Sequence, residues 1–321
     1  MKTLTVLFAL TVLSINSSWS QGCSDAGVCS IGGLKDNGSE EKHYAALNIQ
    51  YAIGEQNVRI FTPQLEGLFR IREKYGIQVK VPYTFTGGNL GAVNGFGDIT
   101  LAGMYKFYDK KKWKAGMNMG VKIGTNKADK KTKVVDSNLI TLPYVDPYSA
   151  PMPYQTSLGT TDLLFGLDAR YGDWWSFGLG LQVPVSQFNR NTFDTALAKP
   201  SETEKKSYFS SAHLYRQPDL ILRVDRKFEF IKKKLFMTLG VLPIYHLSED
   251  RITVSRGSTT VRQSVDGSDG LTLNLTGSLS YRPVDDFLFI FRYAAPAIVR
   301  KVRPDGLTRH WVSGLEIRYM F

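Results

Sequence analysis

"LTLNLTGSLSYR", residues 271–282, places Leu271, Leu273, Leu275, Leu279 and Tyr281 on one side of an extended chain and Thr272, Asn274, Thr276, Ser278, Ser280 and Arg282 on the other. Successive side chains of a β-strand point to opposite faces, so this stretch reads as a strand between two different solvents. The same two-residue rhythm runs through "LNIQY" (47–51), where Asn48 and Gln50 oppose Leu47, Ile49 and Tyr51, and through "IQVKVPYTF" (77–85). Strands of soluble sandwiches alternate too, because one face packs inward. Length separates the cases. These stretches run to about ten residues, which suits a tilted strand crossing a bilayer, whereas a sandwich strand is nearer five or six.

Turn signals divide the rest of the chain. Strands are expected over 43–53, 57–72, 76–86, 98–108, 113–124, 162–171, 174–187, 209–225, 233–247, 270–282, 286–299 and 308–321. The connectors "REKYG", "DKKK", "GDW" and "RPVDD" are tight, while 125–161, 188–208 and 248–269 are long. Short turns on one side and long loops on the other fit an all-β, closed antiparallel transmembrane barrel of about twelve strands, with ten to fourteen as the range. Closure follows from the backbone, since each unpaired amide in hydrocarbon costs several kcal/mol. The link at 54–56 is short where the pattern expects a long loop. Aromatics support the frame: Trp113, Trp174, Trp175, Phe287 and Phe289 follow tight turns, while Tyr83, Phe85, Tyr245 and Trp311 lie at the opposite strand ends.

The 321 residues are 43% hydrophobic, 12% aromatic and only 21% charged, a composition that favours a β-rich chain. No apolar run after the first twenty residues approaches the length of a membrane helix. Residues 1–20, with Lys2, an apolar run from Leu4 to Ile15 and the small residues Ser18 and Ser20, read as a secretory signal peptide cut before Gln21. The expected organisation is this signal, a polar lead-in or small plug over 21–42 on the periplasmic side, and the barrel over 43–321. Cys23 and Cys29 in the lead-in suit a small disulfide loop, while Gly22 before Cys23 also suits a lipid anchor. The formal charge of +11 sits largely in turn runs such as Lys110–Lys112 and Lys232–Lys234, which read as solvated turns rather than a nucleic-acid surface.

With the apolar face toward lipid, the polar face lines a lumen. Its candidate charged residues are Glu66, Arg70, Arg72, Lys80, Asp98, Lys106, Lys122, Asp168, Arg170, Asp219, Arg223, Arg292, Glu316 and Arg318. They serve either as wall-stiffening pairs or as a selectivity lining with a basic excess for polar or anionic solutes. A barrel of this size implies a narrow or partly plugged path. The loop 125–161, with Tyr144, Tyr148 and Tyr154, is a candidate cover for the mouth, able to stack on an apolar ligand. The four histidines His43, His213, His246 and His310 lack metal-binding spacing, and no glycine-framed serine nucleophile occurs. No catalytic residue, metal or cofactor is assigned.

The closing "GLEIRYMF" resembles the assembly signal of bacterial outer-membrane barrels, with Gly314, Ile317, Tyr319 and Phe321 at the matching positions. That resemblance implies insertion by the barrel-assembly machinery into outer-membrane lipid, and the overall character of the chain suggests a Gram-negative envelope of the Bacteroidetes type. "GFGDITLAGMYKFY", residues 95–108, is similar to a glycine-rich strand of the meta-pathway phenol-degradation family, related to fatty-acid channels of the FadL type. It implies a lumen position for Asp98 and a small hydrophobic or aromatic cargo. The expected function is an outer-membrane channel for small solutes; the alternative is a closed structural or adhesive barrel whose loops bind a partner.

Overall fold

The computed structural model describes residues 20–21, 42–134, 144–145, 148–197, 203–256, 259–306 and 308–321. Residues 1–19 of the expected signal peptide and residues 22–41 of the expected lead-in, including Cys23 and Cys29, lie outside them.

Twelve long strands form the wall: β1 (Tyr44–Gly54), β2 (Arg59–Ile71), β3 (Tyr75–Gly88), β4 (Ile99–Lys110), β5 (Trp113–Ile123), β6 (Thr160–Tyr171), β7 (Trp175–Gln187), β8 (Asp219–Ile231), β9 (Leu235–His246), β10 (Gly270–Val284), β11 (Phe287–Ile298) and β12 (Thr308–Met320). Each pairs antiparallel with its neighbours in sequence. The sheet closes where β12 pairs with both β11 and β1, from Val312↔Ala52 to Met320↔Tyr44 along the β1 side. A closed wall leaves no strand edge among the twelve to seek another chain. Ser20 and Gln21 pair with Arg309 and Thr308, at the end of β12 opposite the tight turns.

The expected alternation holds around the wall. Leu65, Phe69, Leu101, Met119, Leu167, Leu222, Leu275, Phe291 and Leu315 are exposed on the outer face. Their neighbours Glu66, Gln78, Thr100, Asn118, Thr272, Asn274 and Glu316 are buried inside. An outer surface this apolar is stable only in hydrocarbon. Aromatic contacts ring the tight-turn end, with Trp113 against Tyr171, Tyr75 against Tyr105, and Phe287 against Tyr319.

One strand differs from the sequence expectation, and the short link read at 54–56 is present. The eighth strand is Asp219–Ile231, not 209–225. "SYFSSAHLY" (207–215) alternates like a strand, but its buried Tyr208, Ala212 and Leu214 fold into the barrel mouth, while "KFEFI" (227–231) extends the wall toward the turns. The short link after β1 is a 3-10 turn over Glu55–Asn57, tightened by positive φ at Gln56 and Asn57.

Candidate functional site: the lumen and its plug

From the tight-turn end inward, an apolar cluster comes first. Tyr44, Ala46, Leu68, Met104, Phe236, Leu288, Ile290 and Met320 pack together from β1, β2, β4, β9, β11 and β12. The arc from β5 to β8 is different, presenting Gly116, Asn118, Asp168, Gly178 and Arg223 to the interior. The lumen thus has apolar packing on one side and a polar lane on the other.

Above the cluster, charges are consumed in pairs. Tyr44 Oη and Gln78 Nε2 donate to Glu66 Oε1 at 2.5 and 2.7 Å, and Lys80 Nζ lies 3.7 Å from Glu66 Oε2. Glu316 accepts from Arg318 Nε and Nη2 at 2.9 and 2.6 Å and from Arg292 Nη1 at 2.8 Å, and the Arg318 guanidinium also covers the Tyr44 ring. Arg223 Nε donates to Asp225 Oδ2 at 2.5 Å, and Asn118 Nδ2 to Asp168 Oδ1 at 3.0 Å. A buried carboxylate without such donors would be strongly penalised.

At the opposite end the mouth is filled by four segments from three connections. Residues 149–159, 189–193, 208–216 and 300–306 fold inward, and Tyr154, with no exposed surface, packs edge-on to Tyr208 while its hydroxyl accepts the Leu90 N–H. Tyr154 is therefore part of the plug rather than a free platform for a ligand. The pieces are pinned to the wall by an ionic web. Arg216 pairs with Asp219 and lies 3.6 Å from Asp305; Arg300 donates to Asp305 at 2.7 Å and to the Ser268 carbonyl at 2.6 Å. His246 sits between Asp219 at 2.6 Å and Asp250 at 2.9 Å. Burial pushes the Asp305 carboxyl up, but Arg300 and Arg216 outweigh it and hold it below the usual carboxylate range.

Between plug and wall lies a cavity of about 100 Å3. Gln50, Thr62, Gln64, Thr84 and Thr100 supply hydroxyls and amides, Lys80, Lys122, Arg309, Asp98 and Asp305 supply charge, and Met152 with Gln155–Leu158 forms the plug side. Lys122 Nζ bridges Asp162 at 2.9 Å and Asp98 at 3.7 Å.

Of the residues singled out in the sequence, the structure gathers Asp98 and Lys122 at the cavity with Lys80, and Glu66 behind Lys80. Arg292, Glu316 and Arg318 form a second group, Asp168 and Arg223 face the polar lane, and Asp219 anchors the plug. Lys106 stands near the turn-end rim, paired with Asp109 at 3.3 Å. Arg70 donates its backbone N–H to His43 Nδ1 at 3.2 Å, and Arg170 lies opposite Lys114 in the register, both close to that rim. Arg72 is the exception to lumen placement. It occupies the β2–β3 turn with φ 59° and is exposed, because the strand ends at Ile71. Asp162, Arg216, Asp250, Arg300 and Asp305 were not foreseen; "RPDG" (303–306) is a recognisable turn signal, but nothing local says that the turn points inward. Among the described residues no group of histidines, cysteines and carboxylates has the geometry to hold a metal ion.

No family model and no curated protein matches the chain. Solved structures do. An outer-membrane channel of the COG4313 group from Pseudomonas putida F1 is similar over 88% of this chain and 96% of its own, with a TM-score of 0.55 at 10% identity. The fold is that of an outer-membrane β-barrel. The translocator domain of the autotransporter NalP from Neisseria meningitidis covers 94% of this chain and 95% of its own, with a TM-score of 0.49 at 11% identity. The CymD monoaromatic hydrocarbon channel covers 96% and 95%, with a TM-score of 0.44 at 10% identity.

Proposed function

We propose that this barrel is a gated outer-membrane channel for small solutes, with the tight turns in the periplasm and the plug at the cell surface. The observation that carries the reading is the build of the interior. A polar cavity and a polar lane lie inside a wall closed by continuous strand pairing, and the mouth is filled by loop segments held through side chains. Export through the general secretory route, insertion by the assembly machinery and kinship with the FadL-like family belong to this proposal; the last rests on residues 95–108 alone. The lining of hydroxyls and amides favours a polar solute over the hydrophobic or aromatic cargo which that kinship implies. Swelling of liposomes loaded with small solutes, together with planar-bilayer conductance, tests it. Solute entry and discrete conductance steps are expected; a barrel closed to every ion and solute even after the plug is loosened overturns it.

The ionic web favours a second reading, a closed barrel whose loops meet an external partner. Deleting 149–157 separates the two. A channel gains conductance, whereas a partner-binding barrel keeps its permeability and loses its partner.

A further inference from the structure

Arg226 stands on the lipid-facing side of the wall. Along β8 it shares the outward face with Leu222, Phe228 and Phe230, all exposed, while Arg223 and Asp225 point inward and are buried. Register fixes its depth. Trp113, Tyr171, Trp175 and Arg226 are successive cross-strand neighbours from β5 to β8, so the arginine closes a row of the turn-end aromatic belt, the level where hydrocarbon gives way to headgroups. β7 begins at Trp175, whereas β8 runs on to Ile231 with β9 alone paired to it. The wall therefore has a step beside Arg226, where the Lys227 N–H donates to the Trp174 carbonyl at 2.8 Å.

The guanidinium is held in place, and its donors are left over. Its carbon lies 4.7 Å from the centre of the Trp175 ring and 5.5 Å from that of Phe228, and Trp175 is itself stacked on Phe177. Among the described residues no carboxylate pairs with Arg226 and no acceptor takes its N–H groups. Asp225 on the same strand is turned inward to Arg223, and Glu229 accepts the Lys233 N–H at 2.6 Å. Asp173 is exposed in the β6–β7 turn, and Lys232–Lys234 add positive charge at the tip of the β8–β9 hairpin. A planar fork of donors, fixed on aromatic rings at headgroup level, matches a phosphodiester. Toward the bilayer centre Phe177, Leu179 and Leu222 form an exposed apolar track, the direction that the acyl chains of such a ligand would take. The lysines of the hairpin tip favour a net negative headgroup over a zwitterionic one. We infer that Arg226, on its Trp175 and Phe228 platform, is the headgroup contact of a binding site for an anionic phospholipid of the leaflet at the tight-turn end. The site stands whether or not solute passes the lumen.

The test is native mass spectrometry of the full barrel, released from detergent micelles doped equally with phosphatidylglycerol and phosphatidylcholine of the same acyl chains. The wild type is expected to retain phosphatidylglycerol severalfold over phosphatidylcholine. Arg226→Gln should cut that retention severalfold. Arg226→Lys should keep part of it, since the charge remains without the fork. Trp175→Leu, which removes one ring of the platform and leaves the arginine, should also lower it and serves as a second variant if Arg226→Gln does not fold. Lys301→Gln removes one exposed positive charge at the loop end and should change nothing. Heat-modifiable gel mobility verifies the folding of each variant. Equal retention of the two lipids, retention untouched by Arg226→Gln, an equal loss with Lys301→Gln, or displacement of the lipid by excess inorganic phosphate overturns the assignment.

Discussion

Gly306 shows how one residue can hold a gate. Its φ is +66°, in the left-handed region open to glycine, and a Cβ there would stand within 2.4 Å of the Pro153 nitrogen. Two plug segments thus touch through a position with no room for a side chain. Gly306→Ala should displace the 300–306 turn at a cost of about 1–3 kcal/mol, before counting the clash. Raised solute entry into liposomes with unchanged heat-modifiable mobility is the expected result; unchanged entry would mean that this contact does not close the mouth. Acid should act on the same turn through Asp305. Its carboxyl is held below its ordinary value, so the stabilisation is complete above the unfolded-state value of about 3.9 and is lost as pH falls through the lower folded value. Conductance recorded from pH 7 downward should stay flat until below about pH 4 and then rise. Asp305→Asn should weaken the plug at neutral pH and remove that acid-linked contribution.

At the scale of strands, the outer face sets the rules. Leu65, midway along β2, is 65% exposed and faces lipid, so Leu65→Arg should cost about 2–4 kcal/mol in urea refolding into lipid vesicles, while Phe230→Arg near the turn end should cost about 0–1. Equal costs would contradict the assigned depth. Period-two alternation is also what made most of the wall legible in sequence: β1, β7, β10 and β11 begin within a residue or so of their expected starts, because lipid on one face and a polar lumen on the other constrain every position. The eighth strand slipped because Tyr208, Ala212 and Leu214 alternate for another reason, packing in the plug. The candidate site was legible only in part. Lys80, Asp98 and Lys122 lie on or beside strands and follow the face rule, whereas Arg216, Arg300 and Asp305 meet through long loops whose inward fold depends on one another.

For the whole molecule, closure is divided between two levels. The plug fills the loop end, and the apolar cluster around Leu68, Phe236 and Leu288 narrows the tight-turn end, leaving the lane along β5–β8. Loosening the plug by deleting 149–157 should therefore give a small conductance rather than a wide pore. Arg223→Leu, which removes a charge from that lane, should then lower anion preference in reversal-potential measurements on the deleted background. A reversal potential that stays the same would place the ion path elsewhere. The β1–β12 seam bears on how such a molecule comes into being. Its two halves stand at opposite ends of the barrel sequence, so the cylinder cannot shut until the last strand has been made. Until then Tyr44–Gly54 offers a raw edge, and a chain halted short of Thr308 has no strand of its own to cover it, which makes prematurely ended copies natural prey for proteases.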